Sequence, residues 1–142
     1  MRSYFAMLWT AADPDAGIEA ARLQRRFQEQ ADPSPPIFER PGLFLADLTP
    51  DTGAGGHFVP AGAGQVLMGI VFARGRRGPA LRQLSERSDE TGKSNLMPPL
   101  LTDVWGSYVA FGAGPEDLML QADPVASLPC YYLQRGRLLL AF

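Results

Sequence analysis

Reactive side chains are scarce in this chain. Its 142 residues include one cysteine and one histidine. A lone thiol forms no internal disulfide, and Cys130 with His57 falls short of a four-ligand zinc set. Any Ser-His-Asp or Cys-His pair would have to use His57, which stands in the glycine-rich stretch Gly55-Gly56-His57-Phe58 and reads as surface loop. An excess of positive charge is also missing. Thirteen Lys and Arg against fifteen Asp and Glu leave a formal net charge of -2, with a pI near 5.3. That balance argues against a nucleic-acid partner, whose phosphates demand a basic surface. The local run Arg74-Gly75-Arg76-Arg77 reads as a solvated hairpin tip. Long hydrophobic runs are absent too. The apolar stretch Tyr4–Trp9 is too short for a signal peptide, an acidic segment follows at once, and no window reaches the length of a membrane span. The expectation is a soluble, cytoplasmic protein with no membrane partner.

What remains is enough for a folded core. Hydrophobic residues make up 46% and charged residues 20% of the chain, a globular balance. The length fits a single domain over residues 1–142. Fifteen glycines and thirteen prolines predict many turns and short strands. Tyr4 to Thr10 is apolar with little alternation, as in a strand buried on both faces. Asp13-Pro14 supplies an N-cap and a first-turn proline. Ala16, Ala20, Leu23 and Phe27 then form one stripe of a helix over Asp15 to Gln30, which three prolines terminate in Asp32-Pro33-Ser34-Pro35-Pro36.

Further on, Ile37–Arg40 and Leu43–Leu48 flank the turn pair Pro41-Gly42 and predict a hairpin. Thr49–Gly64 reads as a loop, and Gln65–Ala73 as a second buried strand. Ser85–Asn95 is polar, and Pro98–Val104 can form a short helix. Ser107–Phe111, Leu118–Ala122, Cys130–Gln134 and Leu138–Phe142 predict closing hairpins, with Gly136 in the last turn. The aromatic residues Trp9, Trp105, Tyr108, Phe111 and Tyr131 are assigned to the core, and Cys130 to an apolar strand, where a thiol behaves as a small hydrophobe. Asp13, Asp15 and Asp32 read as helix caps or turn residues. Neither Gly53-Ala54-Gly55-Gly56 nor Gly62-Ala63-Gly64 leads from a strand into a helix with a Lys-Ser/Thr pair, and Gly92-Lys93-Ser94 lacks the earlier glycine, so no P-loop is expected.

Continuous apolar strands imply sheets covered on both faces, met by two stacked, largely antiparallel sheets with helices outside. Three stretches then add a resemblance. Trp105-Gly106-Ser107-Tyr108-Val109-Ala110-Phe111 is similar to the Leu-x-Gly-x-Phe/Tyr-Ala-Phe strand of class II glutamine amidotransferase domains, the N-terminal half of asparagine synthetases. Ala122-Asp123-Pro124-Val125-Ala126-Ser127-Leu128-Pro129-Cys130-Tyr131-Tyr132 resembles that family's Arg-Asp-Pro-x-Gly-x-x-Pro-Leu-Tyr-Tyr, with Ala122 in place of Arg and Ala126 in place of Gly. Met68-Gly69-Ile70-Val71-Phe72-Ala73 stands where the family has Asn-Gly-Glu-Ile-Tyr-Asn. The chain looks closest to the divergent asparagine synthetase-like proteins that include lasso-peptide cyclases.

The resemblance implies an α+β, four-layer αββα sandwich of the N-terminal nucleophile hydrolase type, with two stacked antiparallel sheets flanked by helices. It also implies a chemistry whose parts are missing. A glutaminase of this class uses the thiol of a Cys directly after Met1, with its free α-amine as base. Position 2 is Arg2, and Ser3 comes one place too late. The oxyanion donors would be an Asn side chain and a Gly N–H. Met68 has replaced the Asn, leaving Gly69. The Arg-x-Arg-Leu and Ser-x-Asp segments that grip glutamine have no clear counterpart. No catalytic, cofactor-binding or metal-binding residue is therefore assigned.

The expectation is an inactive glutaminase-like domain, a scaffold or substrate-positioning module of an ATP-dependent amide ligase, foremost a lasso-peptide macrolactam cyclase. Its partners would be a C-terminal synthetase domain, which would carry ATP and Mg²⁺, and a precursor peptide; a homodimer stays open. The abrupt end on Leu138–Phe142 agrees with a longer protein. The alternatives are an ammonia-using asparagine synthetase relative and a stand-alone protein-interaction module.

Overall fold

A computed structural model describes residues 3–30, 35, 37–48, 58–61, 65–75, 77–81 and 104–142. Strand β1 (Tyr4–Leu8) leads to helix α1 (Pro14–Gln30), and β2 (Ile37–Arg40) and β3 (Leu43–Asp47) follow. Then come β4 (Phe58–Pro60), β5 (Gln65–Ala73), β6 (Val104–Ala113), β7 (Leu118–Ala122), β8 (Tyr132–Arg135) and β9 (Leu138–Ala141). The fold class is α+β: one five-stranded sheet in the order β2-β3-β1-β9-β8, one four-stranded sheet in the order β4-β5-β6-β7, and one helix among the described residues. The pairs β1–β3, β1–β9, β2–β3, β4–β5, β5–β6 and β8–β9 are antiparallel. The chain divides into two compact units. One holds Met1–Ala54, Ala113–Leu118 and Pro129–Phe142, the other Gly55–Gly112 and Met119–Leu128.

In the first unit, alternation decides what each side of the five-stranded sheet carries. Phe5 and Met7 of β1 lie opposite Ala46 and Phe44 of β3, and Met7 also lies opposite Leu140 of β9. These side chains share one face, and α1 lays Ala20, Leu23 and Phe27 on it. Phe27 stacks on Phe5 at 5.0 Å between ring centroids and meets Phe44 edge-on at 5.7 Å. Such pairs each add about 0.5–1.5 kcal/mol beyond the area they bury. The opposite face carries Tyr4, Ala6, Leu8, Leu43, Leu45 and Asp47, all buried. The apolar, non-alternating sequence of β1 thus corresponds to a strand covered on both sides.

The helix starts as its sequence predicts. Asp13 Oδ1 accepts hydrogen bonds from the backbone N–H groups of Asp15 (3.0 Å) and Ala16 (3.2 Å), and Pro14 takes the first helical position. Asp13 Oδ2 also accepts from Arg137 Nη1 at 2.5 Å, tying the cap to the β8–β9 turn. That guanidinium holds the Asp13 carboxyl below its ordinary range, with the cap N–H groups assisting.

In the second unit, Leu67, Val71, Val104, Tyr108 and Ala110 share a face of the β5–β6 pair and pack with Val59 and Met119. The other face is buried at Val66, Met68, Val109 and Phe111 and open at Ile70 and Trp105.

Four expectations are corrected. Phe58–Pro60 forms strand β4 inside the stretch read as loop, because Val59 pairs with Leu67 and enters the core. Val104 begins strand β6, not the end of a short helix; Pro98 to Asp103 lie outside the described residues. Trp105 (53% exposed) and Tyr131 (66% exposed) are surface residues. Trp105 stacks on Phe72 at 4.6 Å and Tyr131 stacks on Phe142 at 6.3 Å between ring centroids. Cys130 precedes β8 and is half-buried.

Candidate functional site

Met68–Ala73, Trp105–Phe111 and the Ala122–Leu128 part of the third stretch that carries the resemblance meet in the second unit. Gly69 of β5 lies opposite Tyr108 of β6, and Gly106 lies opposite Val71. Both glycines have left-handed φ, 131° and 139°. A Cβ on Gly69 would strike the Ser107 carbonyl oxygen and come within 2.9 Å of Tyr108 Cα and 3.1 Å of Leu128 Cδ1. A Cβ on Gly106 would strike the Ile70 carbonyl oxygen. Only glycine lets these two backbones approach so closely.

The third stretch closes on the same place. Asp123 is 3% exposed, and its carboxylate is saturated. Oδ2 accepts from the backbone N–H of Ser127 (3.0 Å) and of Tyr108 (3.4 Å), while Oδ1 accepts from the Val125 N–H (3.0 Å) and the Ser127 hydroxyl (3.2 Å). The Asp123 N–H in turn donates to the Tyr108 carbonyl at 2.9 Å. A carboxylate that accepts local backbone donors in this way builds an Asx-type turn. The turn places Ala126 at φ 49°, which side chains other than glycine's disfavour.

The chemistry available here is limited. All four of these contacts to the Asp123 carboxylate come from donors, so the side chain is a structural anchor of the turn. Met68 is fully buried, and its thioether has no N–H to donate. The Tyr108 hydroxyl is buried and has no hydrogen-bond partner among the described residues. Burial, and then the Asp123 charge, push its phenol above the ordinary value, while Arg74 opposes them; the group stays protonated.

In the first unit, Tyr4 places its hydroxyl 3.2 Å from the Pro129 carbonyl, to which it donates. Burial foremost, then the hydrogen bond to the Cys130 thiol, raise the Tyr4 phenol. The Tyr4 phenol beside the Cys130 thiol thus stays protonated. Ser3 is exposed at the entry to β1, and its carbonyl accepts from the Leu48 N–H at 2.9 Å.

Arg2, Asp32, His57, Arg76 and the glycine-rich segments 53–56, 62–64 and 92–94 lie outside the described residues. Among the described residues, no group of three or more His, Cys, Asp or Glu could hold a metal ion, and no helix is long and apolar enough to cross a membrane. In the sequence Asp123 is one position of a motif; its role as the buried anchor of the turn emerges from the fold. The spacing Asp-Pro-x-x-Ser was the available signal, since a side chain two to four residues downstream of an Asp is within reach of its carboxylate. No family model matches the chain, nor does any curated protein or solved structure.

Proposed function

We propose that this chain is a glutaminase-like domain that has lost its catalysis and serves as the N-terminal scaffold of an asparagine synthetase-like ATP-dependent amide ligase, foremost a macrolactam-forming peptide cyclase. One observation carries the reading. The three stretches that resemble the amidotransferase family are far apart in sequence, yet Gly69, Gly106, Tyr108 and Asp123 interlock through close backbone approach and the saturated carboxylate. The glycines fall where the backbone demands them, and Ala126 has positive φ at the position where the family carries glycine. The frame is the part that packing would preserve.

The reactive parts are those that have gone. Arg2 stands at the position of the nucleophile, and Met68 at that of the oxyanion-binding Asn. Losing one oxyanion donor alone typically slows such chemistry by about 10²–10³. A cyclase that takes its amine from the substrate peptide needs no ammonia, so loss of the glutaminase carries no penalty. The reading entails a cytoplasmic protein, a four-layer αββα arrangement of the N-terminal nucleophile type, and a following domain that binds ATP and Mg²⁺.

Two measurements test this. Incubated with glutamine, the purified chain is expected to release no ammonia above the buffer rate; release at an enzymatic rate would end the proposal. The reading frame past Phe142 is expected to encode a Ser-Gly-Gly-x-Asp-Ser pyrophosphate loop. A frame without one would move the assignment to a stand-alone interaction module.

A further inference from the structure

Edge strand β8 differs from the other strand edges of the described residues. Edges are commonly blunted by charge, proline or cover. Edge strand β2 ends in Glu39-Arg40, edge strand β4 contains Pro60, and every residue of β7 is at least partly buried. In β8, all four residues are exposed, and its first three, Tyr132, Leu133 and Gln134, carry no charge. Tyr132 is 68% exposed, and Tyr131, Leu133 and Phe142 beside it are exposed as well.

The ladder shows which backbone groups face outward. Tyr131 and Phe142 exchange both N–H···O bonds, at 2.8 and 2.9 Å. Register then makes Leu133↔Leu140 and Arg135↔Leu138 the next bonded pairs. The N–H and C=O groups of Tyr132 and Gln134 therefore point away from β9. Such an edge accepts an extended strand.

We propose that the occupant is a second copy of this chain, with β8 pairing antiparallel to β8 of the partner about a two-fold axis at Leu133. This register is self-complementary. The outward groups of Tyr132 exchange hydrogen bonds with those of Gln134 across the axis, and the reverse. Leu133 meets its own copy on the face that carries Leu140, extending the apolar strip of Tyr131 and Phe142. Arg135 falls opposite Tyr131, placing a guanidinium by an aromatic ring and keeping the two Arg135 charges apart. A one-residue shift in pairing would lose this match of outward groups. The exposed apolar side chains amount to roughly 400 Å² per copy, about half of a standard interface, which predicts a weak dimer with a dissociation constant of about 10–100 μM.

Sedimentation velocity of the 142-residue chain over about 5–500 μM is the test. The weight-average mass is expected to rise from one copy toward two. Gln134→Pro removes an outward N–H that β9 does not use and is expected to abolish the rise while leaving the melting temperature unchanged. Leu133→Cys, in a Cys130→Ser background, is expected to cross-link two copies under mild oxidation, because a non-hydrogen-bonded antiparallel pair sets Cα atoms about 4.5 Å apart. Arg135→Cys in the same background, four residues out of register with itself, is expected not to. The cross-linking result decides the matter should Gln134→Pro unfold. A chain monomeric throughout, a dimer untouched by a folded Gln134→Pro, or cross-linking equal at positions 133 and 135 would overturn the proposal. Binding of an unrelated extended peptide without self-association would overturn it also.

Discussion

Replacing Asp123 by alanine removes four accepted hydrogen bonds from one turn, and their surroundings decide the cost. The N–H groups of Val125 and Ser127 and the Ser127 hydroxyl belong to exposed residues, so water can take over there, at about 0.5 kcal/mol each. The Tyr108 N–H lies inside the second sheet and finds no substitute. An unsatisfied buried donor costs about 1–3 kcal/mol. The sum is about 3 kcal/mol for Asp123→Ala. Asp123→Asn keeps one oxygen. Turned toward Tyr108 and Ser127, it leaves the amide NH₂ facing the Val125 N–H, for a loss of about 1–2 kcal/mol. Urea unfolding followed by Trp105 fluorescence in the same unit reads both values, and the expected order is wild type, then Asn, then Ala. At about 4 °C per kcal/mol for a chain of this size, the alanine variant should melt roughly 12 °C lower. If both variants unfolded within about 0.5 kcal/mol of wild type, the claim that this carboxylate holds the turn to β6 would be wrong.

Two further outcomes are expected. Ala126→Gly relieves a left-handed conformation worth about 1–2 kcal/mol against a glycine entropy cost of about 0.5–1 kcal/mol, so it should stabilise the chain by up to about 1.5 kcal/mol, read from the urea midpoint. The Asp13 carboxyl has a folded-state pKa below its ordinary 3.8, so its contribution is present above that value and is lost as pH falls through the folded pKa. Arg137→Ala removes the first cause of the shift, and the difference in melting temperature between wild type and this variant should shrink as pH falls below 3.8; a difference constant down to pH 2 would contradict the assignment.

Local chemistry made much of the fold legible. The stripe Ala16, Ala20, Leu23 and Phe27 and the Asp13-Pro14 start locate α1 to within a residue, because helix periodicity and capping act over a single turn. Gln65–Ala73 has the bounds that its apolar run predicts, and the Pro41-Gly42 turn lies between β2 and β3. The candidate site was legible as three motifs, but not as one place. Gly69 and Gly106 face each other's strand only through the β5–β6 register, a pairing across the intervening stretch 74–103 that no local pattern encodes.

The sequence by itself determined which side chains could do chemistry, where the helix begins and ends, and that β1 and β5 are too apolar to stand in water. Tertiary structure decided the rest: that Val59 finds a partner in Leu67, that Trp105 and Tyr131 lie at the surface, and that the Asp123 carboxylate is taken up by three backbone N–H groups and the Ser127 hydroxyl. The reason is physical. Periodicity and capping depend on neighbours within a few residues, whereas exposure and hydrogen-bond satisfaction depend on which distant strand lies alongside.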